Sequence, residues 1–366
     1  MKILNLIQCA NLGGMEQASL RLMRGLQARG HELQLLSLNP IGKLGPLLQA
    51  AEIPHEGLPY AGKGGWRMLP GLRRKLRESK ADAMIMTGHH LLAMAALGNV
   101  AKGRRILAIH FHHAGVKPDW QWRLIYRLAC TRFQAITFPA DFIRREAERI
   151  HPPVAAIAHT VRNPLNMPEL PTAEQKQAAR RTLGLPMAGP IIGNAGWLIP
   201  RKRFDVFLRT AALIASQRPD AHFVIAGDGA ERSRLEALAA GLNLTGRLTW
   251  TGWVQNMETF YHSLDVLLFN SDWDALPTTP QEAMSHGIPV VASVVNGGLK
   301  EILSSPEWGF LLDRHEPETL AAAVVHLLQN PVAARQISLA GRERVRLVSN
   351  PEAIAIEHEK LWKQGW

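Results

Sequence analysis

The sequence predicts two α/β domains in tandem, each a parallel sheet flanked by helices, on three observations. Short apolar runs alternate with amphipathic stretches of helical spacing, the signature of βαβ units. The pattern pauses once, around Val161-Arg162-Asn163-Pro164 to Leu170-Pro171, where prolines and polar residues gather, and then begins again. A chain of 366 residues is too long for one ordinary domain and suits two of about 150–200. The expected boundaries are 1–165, 166–350 and a closing helix in 351–366 that crosses back to the first domain. Hydrophobic residues at 46% and charged residues at 20% are enough for a sizeable core.

In the first half, strands are expected at 3–7, 32–38, 83–86, 106–109 and 135–137. Leu20, Leu22, Met23 and Leu26 at helical spacing mark a helix over 15–30 that stops at Gly30. In the second half the strands are 191–194, 222–226, 248–251, 266–269 and 289–292, and a last helix covers roughly 351–363. Two such halves make a cleft, and open parallel sheets bind ligands at the C-terminal ends of their strands.

Cys9 and Cys130 are the only cysteines, so no disulfide framework is implied and a reducing compartment is the default. The apolar opening is too short for a signal peptide and reads as a first buried strand. Leu6-Ile7-Gln8-Cys9 faintly resembles a lipoprotein signal, with Gln8 a poor fit. No run of 18 apolar residues would span a bilayer.

The net charge of +11 is unevenly spread. Residues 1–165 hold 23 Lys and Arg against 10 Asp and Glu, a net of +13, and the remainder is −2. The first half therefore calls for an acidic partner, such as anionic lipid, an acidic glycan or nucleic acid, unless it is simply a solvated cationic surface. Two basic stretches carry interleaved aromatics: 66–80, with Trp66, Arg67, Arg73, Arg74, Lys75 and Arg77, and 120–132, with Trp120, Trp122, Arg123, Tyr126, Arg127 and Arg132. Basic amphipathic helices of that kind suit an anionic membrane surface, and equally suit ordinary domain helices with one buried face.

The chemistry-bearing residues concentrate in the second half. Gly193-Asn194-Ala195-Gly196 follows a strand and leads to Arg201 and Lys202, so backbone N–H groups and two cations can converge on a pyrophosphate. Gly227-Asp228-Gly229 is a second tight strand-to-helix turn. Asp274 precedes the loop Leu276-Pro277-Thr278, and Glu282 stands eight residues on at the start of a helix. Helix N-termini favour anions, and the two carboxylates can hold hydroxylated ligands, although Glu282 could simply cap its helix.

The stretch from Ser271 to Ala292 resembles the Glu-x7-Glu motif of retaining glycosyltransferase family 4, the group 1 glycosyl transferases of GT-B fold. Other signatures follow in the family's order. Gly13-Gly14-Met15-Glu16 is similar to its N-terminal Gly-Gly loop, Gly196-Trp197-Leu198-Ile199-Pro200-Arg201-Lys202 to its Gly-Arg-Leu segment, and Ile225-Ala226-Gly227-Asp228-Gly229 to its Ile-x-Gly-Asp-Gly turn. Thr251-Gly252-Trp253-Val254 looks like the loop whose backbone meets the nucleobase. The match is dense over 190–345 and thin before it.

The resemblance implies two Rossmann-like domains with parallel sheets facing a central cleft, the donor nucleotide sugar held by the C-terminal one. Arg201 and Lys202 would grip the diphosphate, Glu282 the ribose and Asp274 the donor sugar. Gly13, Gly14, Gly196, Gly227, Asp228 and Val254, with the backbone at Leu276, Pro277 and Thr278, would complete the donor site. Glu16, His89, His112 and His113 would face the acceptor, a glycan or glycolipid. A histidine near the scissile bond aligns on His112 slightly better than on His110. Two departures stand out: Asp274 replaces the usual Glu, and Trp197 replaces a common Arg, a charge that Arg201 can supply. The implied reaction is metal-independent sugar transfer with retention, in the cytoplasm or at the inner membrane face, with no cofactor beyond the nucleotide sugar. Rival readings are a nucleotide-sugar epimerase of the same fold and a basic nucleic-acid binder. The latter leaves Asp274 to Ala292 unexplained, and no nucleic-acid partner is expected. The cluster His110, His112 and His113 lacks the outlying carboxylate or cysteine of a zinc site, and the Asp272-Trp273-Asp274 triplet is not needed for metal where cations already face the phosphates.

Overall fold

The computed structural model describes residues 1–11, 13–59, 65–110 and 117–363. The chain divides into two compact units, Met1–Pro164 with Ser349–Trp366, and Leu165–Val348.

The first unit is built on seven strands: β1 (Lys2–Ile7), β2 (Glu32–Ser37), β3 (His55–Gly57), β4 (Ala83–Thr87), β5 (Arg105–Ala108), β6 (Ala135–Phe138) and β7 (Ala158–Thr160). They pair in parallel in the order β3-β2-β1-β4-β5-β6-β7. Ile3, Leu4, Leu6, Met84, Ile85, Ile106 and Leu107 are all buried, as continuous apolar runs must be when helices cover both faces. The chain leaves β1 towards β2 on one side and returns to β4 on the other. The carboxyl ends of β1 and β4 therefore flank a topological switch point.

The helix Pro351–Lys363 belongs to this unit although 186 residues separate it from Pro164. It packs along the helix Gly14–Ala28, buries Ile354, Ala355, Leu361 and Trp362 in the same core, and crosses where Gly25 brings the backbones together. A side chain at Gly25 would meet the Pro351 carbonyl at 3.1 Å. Arg29 adds a two-pronged ion pair to Glu359 at 2.7 and 3.0 Å, and His31 reaches the same carboxylate at 2.9 Å.

The second unit repeats the design with six parallel strands: β8 (Ile191–Ala195), β9 (His222–Ala226), β10 (Leu248–Gly252), β11 (Val266–Asp274), β12 (Val290–Gly297) and β13 (Phe310–Leu312), in the order β10-β9-β8-β11-β12-β13. Its switch point lies between β8 and β11, which pair through Ile192 opposite Val266. Phe207, Phe223, Leu268 and Val291 fill its core. All ten strands expected from the sequence are present. The three that the pattern did not mark, β3, β7 and β13, are three residues each and too short to show a period. β11 runs five residues further than expected, so Asp274 ends a strand as well as preceding a loop.

Candidate active site

The second unit's switch point gathers the residues that the sequence singled out. β8 ends at Ala195, and Gly196 carries the chain to the turn Pro200–Lys202. There Lys202 Nζ lies 3.0 and 2.9 Å from the two carboxylate oxygens of Asp274, at the tip of β11, and Arg201 Nη1 donates to Asp274 Oδ1 at 3.2 Å and to the Trp273 carbonyl at 2.6 Å. Asp274 and Lys202 are nearly buried, with 12% and 14% of their side chains exposed. Lys202 also stands 5.2 Å above the Phe269 ring, which further favours a cation at that spot. Two cations and one carboxylate thus leave a surplus positive charge where the strand ends open.

The turn is cross-braced. Arg203 adopts φ +46° and ψ +43°, a left-handed conformation that is strained for a non-glycine residue. Asp205 at 3.0 and 3.2 Å and Asp272 at 3.0 Å hold it there. The guanidinium keeps the Asp205 carboxyl below the usual range against the opposing effect of burial. Asp272 also pairs with His315 Nε2 at 3.0 Å, whose Nδ1 meets Ser293 Oγ at 2.7 Å. Burial holds the His315 pKa down, Asp272 pulling the other way. This Ser–His–Asp line is no nucleophile relay, because Ser293 is completely buried. It ties β11, β12 and the segment after β13 behind Asp274. Asp272 and Asp274 thus face separate cations.

The glycine turns let neighbouring strand ends close up. Gly227 has φ +137° and lies against Gly196 so tightly that a Cβ would overlap the Gly196 carbonyl oxygen. Asp228 is exposed and accepts from the Gly229 N–H at 2.8 Å. Trp197 and Trp253 meet edge to face, centroids 4.6 Å apart, at the ends of β8 and β10, with 53% and 47% of their surfaces exposed. Val254 follows directly. Leu276 and Pro277 are buried and Thr278 begins the helix Thr278–Ser285. Glu282 lies in the second turn of that helix, so it is not a cap; its Oε2 accepts from the Tyr261 hydroxyl at 2.8 Å.

At the first unit's switch point, Gly13 is the extended residue before the helix Gly14–Ala28 and packs against Glu16 so closely that a Cβ would overlap its carboxylate. Glu16 is buried and accepts from Cys9 Sγ at 3.2 Å, while burial raises the Cys9 pKa with Glu16 adding to it. His89 follows β4 and packs against Trp122, centroids 4.9 Å apart and planes tilted by 57°; burial, then the charge of Lys117, lowers its pKa to about 4. His110, just beyond β5, lines a cavity of about 20 Å³ with Thr87, Thr137, Asn163 and His358. Its Nδ1 is buried without a partner, and desolvation, reinforced by His358 and opposed by an Asn163 hydrogen bond, lowers its pKa to about 4. His112 and His113 lie outside the described residues. No group of three metal-ligating side chains occurs among the described residues.

The basic stretches are corrected in part. Trp66 and Trp120 are each 63% exposed, and Arg67 stacks on Trp66 at 5.5 Å. Trp122 and Tyr126, for which an interface and a buried helix face were both open, are fully buried and stack on each other as core residues. Lys75 is engaged by Glu56 at 2.9 Å and Glu78 at 3.6 Å. Tyr261, Arg203 and His315 were not legible as site residues, since the Glu282 that Tyr261 holds and the Asp272 that Arg203 and His315 share lie tens of residues away.

Residues 175–344 match the model for Glycosyl transferases group 1, and residues 13–164 match the Glycosyl transferase 4-like domain. The second unit is thus a group 1 glycosyl transferase domain and the first a glycosyl transferase 4-like domain. It is 24% identical over 360 residues, 95% of each chain, to an uncharacterized glycosyltransferase of Haemophilus influenzae. It is 26% identical over 182 residues to the lipopolysaccharide core biosynthesis glycosyltransferase LpsE of Rhizobium meliloti, a match that spans about half of each protein. Among solved structures, the Anabaena HepE complex with UDP and glucose superposes with a TM-score of 0.85 over the whole of both chains at 18% identity, which establishes the GT-B fold of this glycosyltransferase. Among the described residues, no helix of it is long and apolar enough to cross a membrane.

Proposed function

We propose that the protein is a retaining glycosyltransferase of family 4 that moves a sugar from a nucleoside-diphosphate donor to a glycan or glycolipid acceptor, without a divalent metal. The convergence of Arg201 and Lys202 on Asp274, at the switch point between β8 and β11, carries this reading. Cations fixed there before the substrate arrives would stabilise the diphosphate as it departs, and preorganised charge is usually the largest electrostatic contribution to such a step. Asp274 would hold hydroxyls of the donor sugar, Glu282 the ribose, and the backbone at Leu276, Pro277 and Thr278 the phosphates. Gly196, Gly227, Asp228 and Val254 would border the nucleotide.

Gly13 and Gly14 would complete the donor site, and Glu16, His89, His112 and His113 would line the acceptor side. Of the two candidate reaction-centre histidines the reading takes His112, because the His110 ring is committed to a buried cavity beside His358. Mechanistically, departure of the nucleoside diphosphate leaves positive charge at the anomeric carbon, and the acceptor hydroxyl adds on the same face while its proton passes to the departing diphosphate. LpsE and the UDP and glucose in the HepE complex support a cytoplasmic role in lipopolysaccharide, polysaccharide or glycolipid assembly. The exposed pair Trp66 and Arg67, with Arg73, Arg74 and Arg77 on the helix Leu69–Glu78, supports peripheral attachment to an anionic membrane face. The test is incubation with nucleotide sugars and candidate acceptors in the presence of chelator, with the linkage of any product read by NMR. A product whose anomeric configuration is opposite to the donor's would overturn retention. Donor turnover that needs no acceptor would favour the epimerase.

A further inference from the structure

We propose that Tyr261 is a positioning residue that aims the Glu282 carboxylate at the ribose of the bound nucleotide; the proposal rests on the donor reading above. Tyr261 belongs to the helix Met257–Ser263, and its side chain is buried at 1% exposure. Two residues of one neighbouring segment clamp it. Glu282 accepts from its hydroxyl at 2.8 Å, and His286, one helical turn further on, stacks against its ring with centroids 5.0 Å apart and planes 29° apart. Phe260 meets the ring edge to face at 5.6 Å. A ring held by these contacts has little freedom to turn, so the direction of its O–H is fixed by packing.

The consequence falls on Glu282. A glutamate on a helix surface has three free torsions, and freezing them when a ligand binds costs conformational entropy. The hydrogen bond from a buried hydroxyl to a carboxylate is of the stronger, charge-assisted kind and settles that orientation before the ligand arrives. A ribose diol then meets a carboxylate already in place. Tyr261 acts on the nucleotide through the Glu282 carboxylate that it holds.

Tyr261→Phe keeps the ring, its stacking and the core, and removes only the hydroxyl. The experiment is calorimetric titration of wild type, Tyr261→Phe, Glu282→Ala and the double variant with UDP and GDP, each beside its 2′,3′-dideoxy form. Melting curves establish that every variant is folded. The expected result is a loss of roughly 3- to 10-fold in affinity for the ribonucleotide in Tyr261→Phe, the size of one hydrogen bond. No loss is expected with the dideoxy form, and none beyond that of Glu282→Ala in the double variant. A merely structural role would weaken both nucleotide forms alike, and that outcome overturns the proposal. So does an unchanged ribonucleotide affinity in Tyr261→Phe, or a further loss in the double variant. Wild type binding ribo and dideoxy forms equally would remove the ribose contact of Glu282 and the proposal with it, whereas discrimination kept intact in Tyr261→Phe removes the proposal alone.

Discussion

Replacing Asp274 by Asn should make the empty protein less stable and its hold on a nucleoside diphosphate tighter. Asp274 is the partner that Lys202 and Arg201 share, and removal of one member of a buried ion pair typically costs about 3–5 kcal/mol because the other charge stays behind. Here Arg201 is 29% exposed and Asn preserves the volume, so a loss of about 1–3 kcal/mol is expected after screening. For a unit of this size each kcal/mol lowers the melting temperature by roughly 2–4 °C. A bound diphosphate supplies negative charge to the same cations and returns part of that loss. If about 1 kcal/mol comes back, affinity for UDP or GDP rises roughly fivefold. Sugar transfer should fall by roughly 10- to 100-fold, since a hydrogen bond from a donor hydroxyl to a carboxylate is lost. Scanning fluorimetry with and without nucleotide, beside initial rates of transfer, reads all three. A variant that melts as wild type does and binds the nucleotide more weakly would refute the reasoning, because Asp274 would then serve the ligand rather than stand in for it.

Other outcomes follow from the same contacts. Glu282→Ala should weaken nucleotide binding by roughly 10- to 100-fold by calorimetry while the protein stays folded; unchanged affinity would remove the ribose contact of Glu282. Glu359, hydrogen-bonded by Arg29 and then His31, has its pKa held at about 2, below the usual 4.5. A depressed carboxyl contributes stability above its unfolded value and loses it as the pH falls through the folded one. Glu359→Gln should therefore cost about 1–2 kcal/mol at pH 7, allowing for screening, with the difference from wild type shrinking between pH 4.5 and 2 in denaturant titrations. An equal cost at pH 7 and pH 2.5 would contradict it. Vesicles containing anionic lipid should retain the wild type at low salt, and less so the variant with Trp66→Ser, Arg67→Gln, Arg73→Gln and Arg77→Gln. Equal sedimentation with neutral and anionic vesicles would remove the membrane reading.

The fold was legible wherever the physics is local. β1, β4, β8 and β9 are apolar runs buried on both faces, and such runs announce themselves. The short edge strands β3, β7 and β13 exist because a neighbour offers a ladder, which no window of sequence records. The site divides in the same way. Arg201, Lys202, Asp274 and Glu282 lie within recognisable strings, and the strand order brings the first three into contact. Tyr261 is 21 residues from Glu282, and His315 is 43 from Asp272, so only the folded chain pairs them. Trp122 and Tyr126 left both readings open because basic neighbours and aromatic bodies look alike at an interface and on a domain helix; the buried face of Asp119–Arg132 separates Trp122 from Trp120, two residues away.

The most direct measurement is calorimetric titration of UDP and GDP into the protein in excess chelator, with wild type beside Lys202→Met and Arg201→Met. If fixed cations supply the countercharge, at least one nucleotide binds wild type with the same affinity in chelator and in magnesium. Each substitution should then weaken it by roughly 10- to 100-fold, as expected for hydrogen bonds between charged groups. Binding that disappears in chelator, or that survives in both variants undiminished, would contradict the placement of the diphosphate at the β8–β11 switch point.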